Sequence, residues 1–167
     1  LTLRDERWIH VRENNATLVH TIEQNVGRTL DGFTHSLEGA VTGLNRPDLG
    51  TLPPSVRHAV LFDSSLRLRG LGSVLVLDRA GNIVFDSTSE RPREGNFSDR
   101  DYFQVHAQRS VRGLYISQPV LSRLSSGQPS LPLSLAYYDA DGAFAGVVVG
   151  AIRVAYFEEL FASVNTD

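Results

Sequence analysis

One eight-residue segment, Asn96-Phe-Ser-Asp-Arg-Asp-Tyr-Phe, concentrates side chains that bind charge. Ser98 is placed as a helix N-cap, and Asp101 follows three residues later as an approximate capping box. Acidic groups suit the first helical turn because the helix dipole favours negative charge there, whereas Arg100 gains nothing from the dipole. A cation in that turn needs an acidic partner, so Arg100, Tyr102 and the free backbone N–H groups predict a pocket for an anion.

The same segment also has a purely structural interpretation. Arg100 would then form an ion pair inside the protein, with Asp99 or Asp86, while the aromatic residues of the segment fill the core. The residues of the segment favour neither interpretation over the other.

Catalytic and metal-binding motifs are absent from the sequence. The five histidines are scattered, and the chain has no nucleophile elbow, phosphate loop, dinucleotide fingerprint or cysteine. Asp78 and Asp139 each begin a predicted hairpin turn, where we expect them to accept turn hydrogen bonds rather than act as a carboxylate pair. We therefore expect no enzyme, no metal and no cofactor; a haem or flavin would lack a suitably placed His or Cys.

The composition is that of a single globular domain. The chain has 167 residues, 16 basic and 19 acidic, with a net charge of −3, which argues against binding to nucleic acid. The longest apolar run, Ala143 to Ile152, is about half of what a membrane-spanning helix needs. The chain begins at Leu1 and contains no methionine, so we expect it to be a piece of a longer protein.

The first 44 residues predict one long helix. Apolar residues recur at three- and four-residue steps from Trp8 to Leu44, and an Asn-Arg-Pro sequence ends the pattern. Such a helix would be roughly 60 Å long, so part of it should project from the domain. The stretch from Trp8 to Ile22 predicts a parallel dimer seam, with Asn15 and Asn25 as register-setting polar residues. Two shorter helices broken near a glycine are the alternative.

The remaining residues predict a second helix and then an antiparallel sheet. The fold class is α+β: a PAS-like five-stranded antiparallel sheet with a helical insert, preceded by the long N-terminal helix and closed by a short C-terminal helix. Residues 1–70 hold the two N-terminal helices, and residues 71–167 form the module packed on them as one domain. The apolar run from Gly146 to Ile152 predicts a central strand. The predicted elements are helices at 54–66, 98–109 and 156–164, and strands at 74–78, 83–87, 114–121, 131–139 and 144–154.

The segment from about Val74 to Phe161 resembles a Cache (PDC) domain, the extracytoplasmic PAS-like sensor of bacterial receptors. The matching text is VLVLDRAGNIVFDS, NFSDRDYF, GLYISQPVLSR and YYDADGAFAGVVVGAIRVAYFEEL. The element FSDRDYF and the hairpin DADGAFAGVVV carry the resemblance together, and the long leading helix also fits. The single-module versions that precede diguanylate cyclases or histidine kinases are the most similar.

This resemblance implies a small organic ligand, often a carboxylate, held between the sheet and the segment that contains Arg100. It implies that Arg100 anchors the carboxylate and that Tyr102 forms a wall or donates a hydroxyl. It also implies that Tyr115 and Ser117 face the ligand from the third strand, with Tyr137 as a weaker candidate on the fourth.

The chain departs from the family pattern at positions that matter for the ligand. Leu135 and Ala136 stand where relatives often carry paired arginines. Ala151 stands near the position of an aspartate that amino-acid-binding relatives use, and the tyrosine before the helix arginine is also missing. We therefore expect a carboxylate ligand and not an α-amino acid.

These features predict the periplasmic sensor domain of a bacterial inner-membrane signalling protein. We expect flanking transmembrane helices outside this segment, a homodimer formed through the N-terminal helix, and a diguanylate cyclase or histidine kinase as the output domain. Ligand binding would shift the population between two arrangements of the domain. The alternative is a ligand-free dimerisation and spacer module of the same receptor, whose pocket would be filled by its own side chains.

Overall fold

The computed structural model describes residues 3–124 and 126–164, beginning with a long helix. Helix α1 spans Leu3–Leu44 without a break, so the single-helix prediction is confirmed over these residues and the two-helix alternative is wrong. Phe33 and Leu37 are buried near its C-terminal end, whereas Ile9 and Val19 are about half exposed. The N-terminal half of α1 therefore projects from the body of the domain.

The first part of the predicted dimer seam is only partly described. Residues 1–2 and the side chain of Trp8 lie outside what the structure describes. Within the described part of the chain, no helix is both long enough and apolar enough to span a membrane.

Helix α2 runs from Pro54 to Leu66, as the Pro-Pro signal predicts, and packs against α1. A single 3-10 turn, Leu49–Thr51, connects the two helices. Leu61 and Phe62 of α2 are buried together with Phe33 and Leu37 of α1. The two helices thus form one layer of the domain.

Among the described residues, six antiparallel strands form one sheet beneath this layer. They are β1 Leu71–Asp78, β2 Ile83–Asp86, β3 Tyr115–Ile116, β4 Val120–Leu121, β5 Pro129–Tyr138 and β6 Phe144–Arg153. Their order is β2-β1-β6-β5-β3, and β4 also pairs with β5. Val147 and Val148 of the central strand β6 are fully buried, so the central-strand prediction for the apolar run is confirmed.

The sheet has one strand more than the five predicted, because the strand expected at 114–121 is two short strands. The N–H of Ser117 still donates to the carbonyl of Pro132 at 2.9 Å, and pairing resumes where Val120 faces Ser130. Pro119 lies between the two strands and has no N–H to donate, so the hydrogen-bond ladder is interrupted there.

The two hairpin turns use their aspartates as predicted. Asp78 Oδ1 accepts hydrogen bonds from the backbone N–H groups of Ala80 and Asn82, each at 2.9 Å. Asp139 Oδ1 accepts two bonds in the same pattern at the second hairpin. The turn role of both carboxylates is therefore confirmed.

Helix α3 covers the opposite face of the sheet and begins later than predicted. It spans Asp101–Ala107, with Arg100 rather than Ser98 as N-cap. Asn96 Oδ1 accepts hydrogen bonds from both the N–H and the hydroxyl of Ser98, at 3.0 and 2.7 Å. Because Asn96 holds Ser98 in a turn of its own, Ser98 does not cap the helix.

Helix α4, Val154–Val164, continues from β6 without an intervening loop and starts two residues before its predicted start. The ring of Tyr156 lies over Gly70, which has a φ of +89°, and makes an edge contact with Phe33 at 6.3 Å between centroids. A Cβ atom at Gly70 would meet this ring at distances too short for van der Waals contact. Gly70 thus allows α4 to approach both α1 and the start of β1.

Candidate functional site

A pocket opens on the face of the sheet that carries α3. Its cavity volume is about 50 Å³, and it is partly open to solvent. Its floor consists of sheet residues, among them Ser73, Ser130 and Ala151. One side is formed by Arg100 and Tyr102 at the start of α3, and the other side is formed by the segment 120–124. The pocket therefore lies between the sheet and the segment that contains Arg100, where the family resemblance implies a ligand.

Arg100 lines this pocket without an acidic partner among the described residues. Its Nη2 donates only a long hydrogen bond, 3.4 Å, to the carbonyl of Leu121. Its Nε is buried and has no hydrogen-bond partner within the described residues. The Arg100 guanidinium thus has hydrogen-bond donors that no acidic side chain among the described residues uses.

The structural alternative is wrong about the ion pair, because Arg100 pairs with neither Asp86 nor Asp99. Asp86 is paired with Arg93, and Asp99 is paired with Arg123. Both candidate partners are therefore engaged by other arginines. The expectation of the same alternative that the aromatic residues fill the core is confirmed, because Phe97, Tyr102 and Phe103 are buried there.

The Asp86–Arg93 pair fixes the segment that precedes the pocket. The Asp86 side chain is fully buried, and Arg93 Nε and Nη2 donate to its two oxygens at 2.6 and 3.1 Å. The N–H and hydroxyl of Thr88 also donate to Oδ1. Burial alone would raise the pKa of Asp86, but the hydrogen bonds from Arg93 and Thr88 outweigh burial and lower the pKa. Asp86 is thus an ionised anchor at the sheet edge.

The Asp99–Arg123 pair joins the two sides of the pocket. Arg123 Nη1 and Nη2 donate to the two oxygens of Asp99 at 2.9 and 2.5 Å, and the guanidinium lies 5.7 Å from the ring centroid of Phe97. Hydrogen bonding from Arg123 lowers the pKa of Asp99, and the same bonds raise the pKa of Arg123. Both groups are therefore charged in the structure described.

Tyr102 is buried beside the two arginines of the pocket. Burial raises the pKa of its phenol to about 12, although the charges of Arg100 and Arg123 act in the opposite direction. The phenol therefore stays neutral near pH 7, where it is able to donate a hydrogen bond to an anion.

The other three predicted ligand-binding residues do not line this pocket. Tyr115 Oη donates to Asp101 at 3.1 Å, and Ser117 Oγ lies 2.8 Å from both oxygens of the same carboxylate. Tyr137 Oη donates to the carbonyl of Leu77 at 3.0 Å. Tyr115 and Ser117 do share one face of their segment, as their alternation predicts. Their side chains bind Asp101, the first residue of α3, rather than face the pocket.

Several residues that line the pocket are not among those predicted from the sequence. Arg123 lies in the matched text GLYISQPVLSR but carries no periodic signal, because it stands between two strands. Ser73, Ser122 and Ser130 line the pocket as small polar groups. The pairing of β4 with β5, between residues distant in sequence, brings the segment 120–124 to the pocket.

The described residues offer no metal site. No group of three or more His, Cys, Asp or Glu side chains is suitably placed among them. His106, the histidine near the pocket side of the sheet, is buried with its Nε2 against Ser134 Oγ at 2.9 Å.

Comparison with known proteins identifies the fold through solved structures. No protein-family model matches the chain, and no curated protein sequence matches it. The extracellular domain of rpHK1S-Z16, classed as a histidine kinase, has a TM-score of 0.77 at 26% identity, over 93% of this chain and 64% of that one. The sensory domain of the Campylobacter jejuni chemoreceptor Tlp3 with isoleucine bound has a TM-score of 0.73 at 16% identity, over 93% and 64%.

A third solved structure extends the same class. The ligand-binding domain of the Pseudomonas aeruginosa amino acid chemoreceptor PctC, in complex with GABA, has a TM-score of 0.70 at 18% identity, over 91% of this chain and 68% of that one. This chain thus spans less than two thirds of the rpHK1S-Z16 and Tlp3 chains.

These matches define the class of protein: the chain has the fold of the extracytoplasmic sensor domains of bacterial histidine kinases and chemoreceptors. The predicted fold class, the sensor-domain resemblance and the extracytoplasmic location agree with them. The matched structures are sensor domains and not catalytic domains. They give no support to the expected exclusion of α-amino acids, since the Tlp3 structure holds isoleucine, and the PctC structure holds GABA, which also carries an amino group.

Proposed function

We propose that this chain is the ligand-binding sensor domain of a bacterial transmembrane signalling protein and that its pocket binds a small organic carboxylate. The observation that carries the proposal is the Arg100 guanidinium, which lines the pocket with a buried Nε that has no partner among the described residues. Tyr102 supplies a neutral phenol beside it. A carboxylate bound to Arg100 would accept charge-assisted hydrogen bonds in a partly desolvated site.

The lining also argues for an acid rather than an amine. Among the described residues, no Asp or Glu side chain lines the pocket. Asp99 and Asp101 lie close by, but Asp99 is bound by Arg123, and Asp101 by Tyr115 and Ser117. While the Asp99–Arg123 pair is closed, an α-amino acid would therefore find no unpaired carboxylate for its ammonium group, although the matched chemoreceptors make amino acids necessary members of a ligand screen.

Ligand binding would act by shifting a conformational population. Moving a two-state receptor from 1:99 to 99:1 takes about 5.5 kcal/mol of differential affinity, so one small carboxylate is expected to produce a partial shift. The receptor as a whole would carry flanking transmembrane helices and an output domain such as a histidine kinase or diguanylate cyclase. We further propose that α1 pairs with a second copy, since Ile9 and Val19 are exposed on its projecting half.

Isothermal calorimetry and thermal-shift measurements with short carboxylates and amino acids test the ligand proposal. We expect at least one carboxylate to stabilise the wild type and Arg100→Ala to weaken its binding roughly 10- to 100-fold, because a hydrogen bond to a charged group contributes about 1.5–3 kcal/mol. Arg112→Ala is the matched control, since it removes the same charge from an exposed site outside the pocket.

Two results would contradict the proposal. Binding that survives Arg100→Ala refutes the anchor role of Arg100. If no compound in the screen binds the wild type, the ligand-free dimerisation and spacer module becomes the better interpretation. Sedimentation of the fragment with its N-termini tethered distinguishes that module further, and a purely monomeric species would refute pairing through α1.

A further inference from the structure

Two arginines line the pocket, and they differ in what holds them. Arg100 has no acidic partner among the described residues, whereas Arg123 is bound through two hydrogen bonds by Asp99. Asp99 belongs to the segment before α3, and Arg123 follows β4. Their ion pair therefore connects the two segments that form the sides of the pocket.

The Asp99–Arg123 ion pair is exposed to solvent, so a ligand can compete for it. The two side chains retain 61% and 43% of their solvent exposure. Ion pairs this exposed contribute little to stability, so their partners exchange readily. The parallel pair of N–H donors that Arg123 now presents to Asp99 is also the geometry with which a guanidinium binds a free carboxylate.

The two guanidinium groups act on the same part of the pocket. The charges of both Arg100 and Arg123 reach the Tyr102 phenol, which is buried in the pocket wall. A ligand lying against Tyr102 would thus be close to two guanidinium groups. That of Arg100 makes only a long hydrogen bond to a carbonyl, whereas that of Arg123 is paired with the carboxylate of Asp99.

We propose that Asp99 is an internal competitor for Arg123 and that the site selects ligands with two acidic groups. The first carboxylate binds Arg100, and the second displaces Asp99 from Arg123. A monocarboxylate binds Arg100 alone and leaves the Asp99–Arg123 pair intact. This inference rests on the proposed function, because it requires Arg100 as the first anchor.

Calorimetry with acids matched in carbon number tests the selection. The probes are butanoate with succinate and pentanoate with glutarate, measured at pH 7 and constant ionic strength. Asp99→Asn keeps the shape of an exposed side chain but frees Arg123, so we expect the ratio of dicarboxylate to monocarboxylate affinity to rise roughly 1.5- to 5-fold. Glu94→Gln is the control, because it removes one negative charge from an exposed site in the same segment.

The second variant removes the proposed second anchor. Arg123→Ala should lower the ratio of dicarboxylate to monocarboxylate affinity about 10-fold, so that the better dicarboxylate binds no more tightly than its monocarboxylate partner. The quantity measured is the ratio of dicarboxylate to monocarboxylate affinity. A general loss of fold stability would lower both affinities and leave that ratio unchanged.

The outcomes separate this inference from the proposed function. If monocarboxylates and dicarboxylates both bind through Arg100 but Asp99→Asn acts no differently from Glu94→Gln, the competitor role is wrong and the proposed function stands. If dicarboxylates depend on Arg123 but not on Arg100, the anchor role of Arg100 is wrong. If neither the wild type nor Asp99→Asn binds any of the four acids, the selection of dicarboxylates is refuted, and the wider screen of carboxylates and amino acids decides the proposed function.

Discussion

The buried ion pair between Asp86 and Arg93 gives a quantitative prediction for the stability of the domain. Arg93→Met keeps most of the aliphatic length of the side chain but removes the two guanidinium bonds to a fully buried carboxylate. Loss of one partner costs about 3–5 kcal/mol in a buried pair and about 0–1 kcal/mol in an exposed one. Because the Arg93 side chain is 33% exposed while Asp86 is not exposed, we expect a loss of about 2–3 kcal/mol at pH 7.

The pH dependence of this loss identifies its origin. In the wild type, the pKa of Asp86 is lowered in the folded state. Its contribution to the free energy of unfolding is therefore fully present above the ordinary aspartate pKa and is lost as the pH falls through the lowered pKa. In Arg93→Met, burial of the carboxylate dominates and raises its pKa, so protonation relieves the unpaired charge. The difference between variant and wild type should therefore shrink as the pH falls from 7 towards about 4.

Urea unfolding at pH 7 and at pH 4 measures both quantities. Arg91→Met is the matched control, since it removes the same charge from an exposed position in the same segment and should change stability by less than about 0.5 kcal/mol. A loss in Arg93→Met that is no larger than the control, or one that is equal at both pH values, would show that the buried carboxylate does not depend on Arg93.

Two further predictions concern other parts of the domain. Gly70→Ala should lower stability by about 1–3 kcal/mol more than Gly113→Ala in thermal unfolding, because both glycines have positive φ but only Gly70 lies under the Tyr156 ring; equal losses would contradict the role of that contact. Burial lowers the pKa of His106, although its bond with Ser134 opposes the change, so stability should fall as the pH drops below about 6.5, and His106→Gln should flatten this dependence in urea unfolding. An unchanged slope in the variant would assign the acid sensitivity to other groups.

The sequence predicts the fold well where local chemistry decides the structure. The turns at Asp78 and Asp139, the helix start at Pro54 and the buried central strand all follow from residues close in sequence. It fails where a nearby side chain competes, as at Ser98, which Asn96 binds before it can cap α3. Pro119 did offer a usable signal for the divided strand, because proline cannot donate to the hydrogen-bond ladder.

The candidate site is predicted less completely, because its geometry depends on contacts between distant segments. Arg100 and Tyr102 lie in the pocket, and a short motif is enough to select them. Arg123 reaches the pocket through the pairing of β4 with β5 and through its ion pair with Asp99, which are contacts that no local pattern specifies. Tyr115 and Ser117 share a face as predicted, but both bind Asp101, and their local sequence does not indicate that partner.

The direct passage from β6 into α4 has a mechanical consequence. Ala151 in the pocket floor is three residues before Val154, a distance of about 10 Å along an extended strand. No loop between them absorbs a displacement, and the N–H of Arg153 is fastened to the carbonyl of Gly70. A ligand that displaces the pocket floor at Ala151 is therefore expected to displace the N-terminus of α4 as well, because one continuous stretch of backbone connects the two.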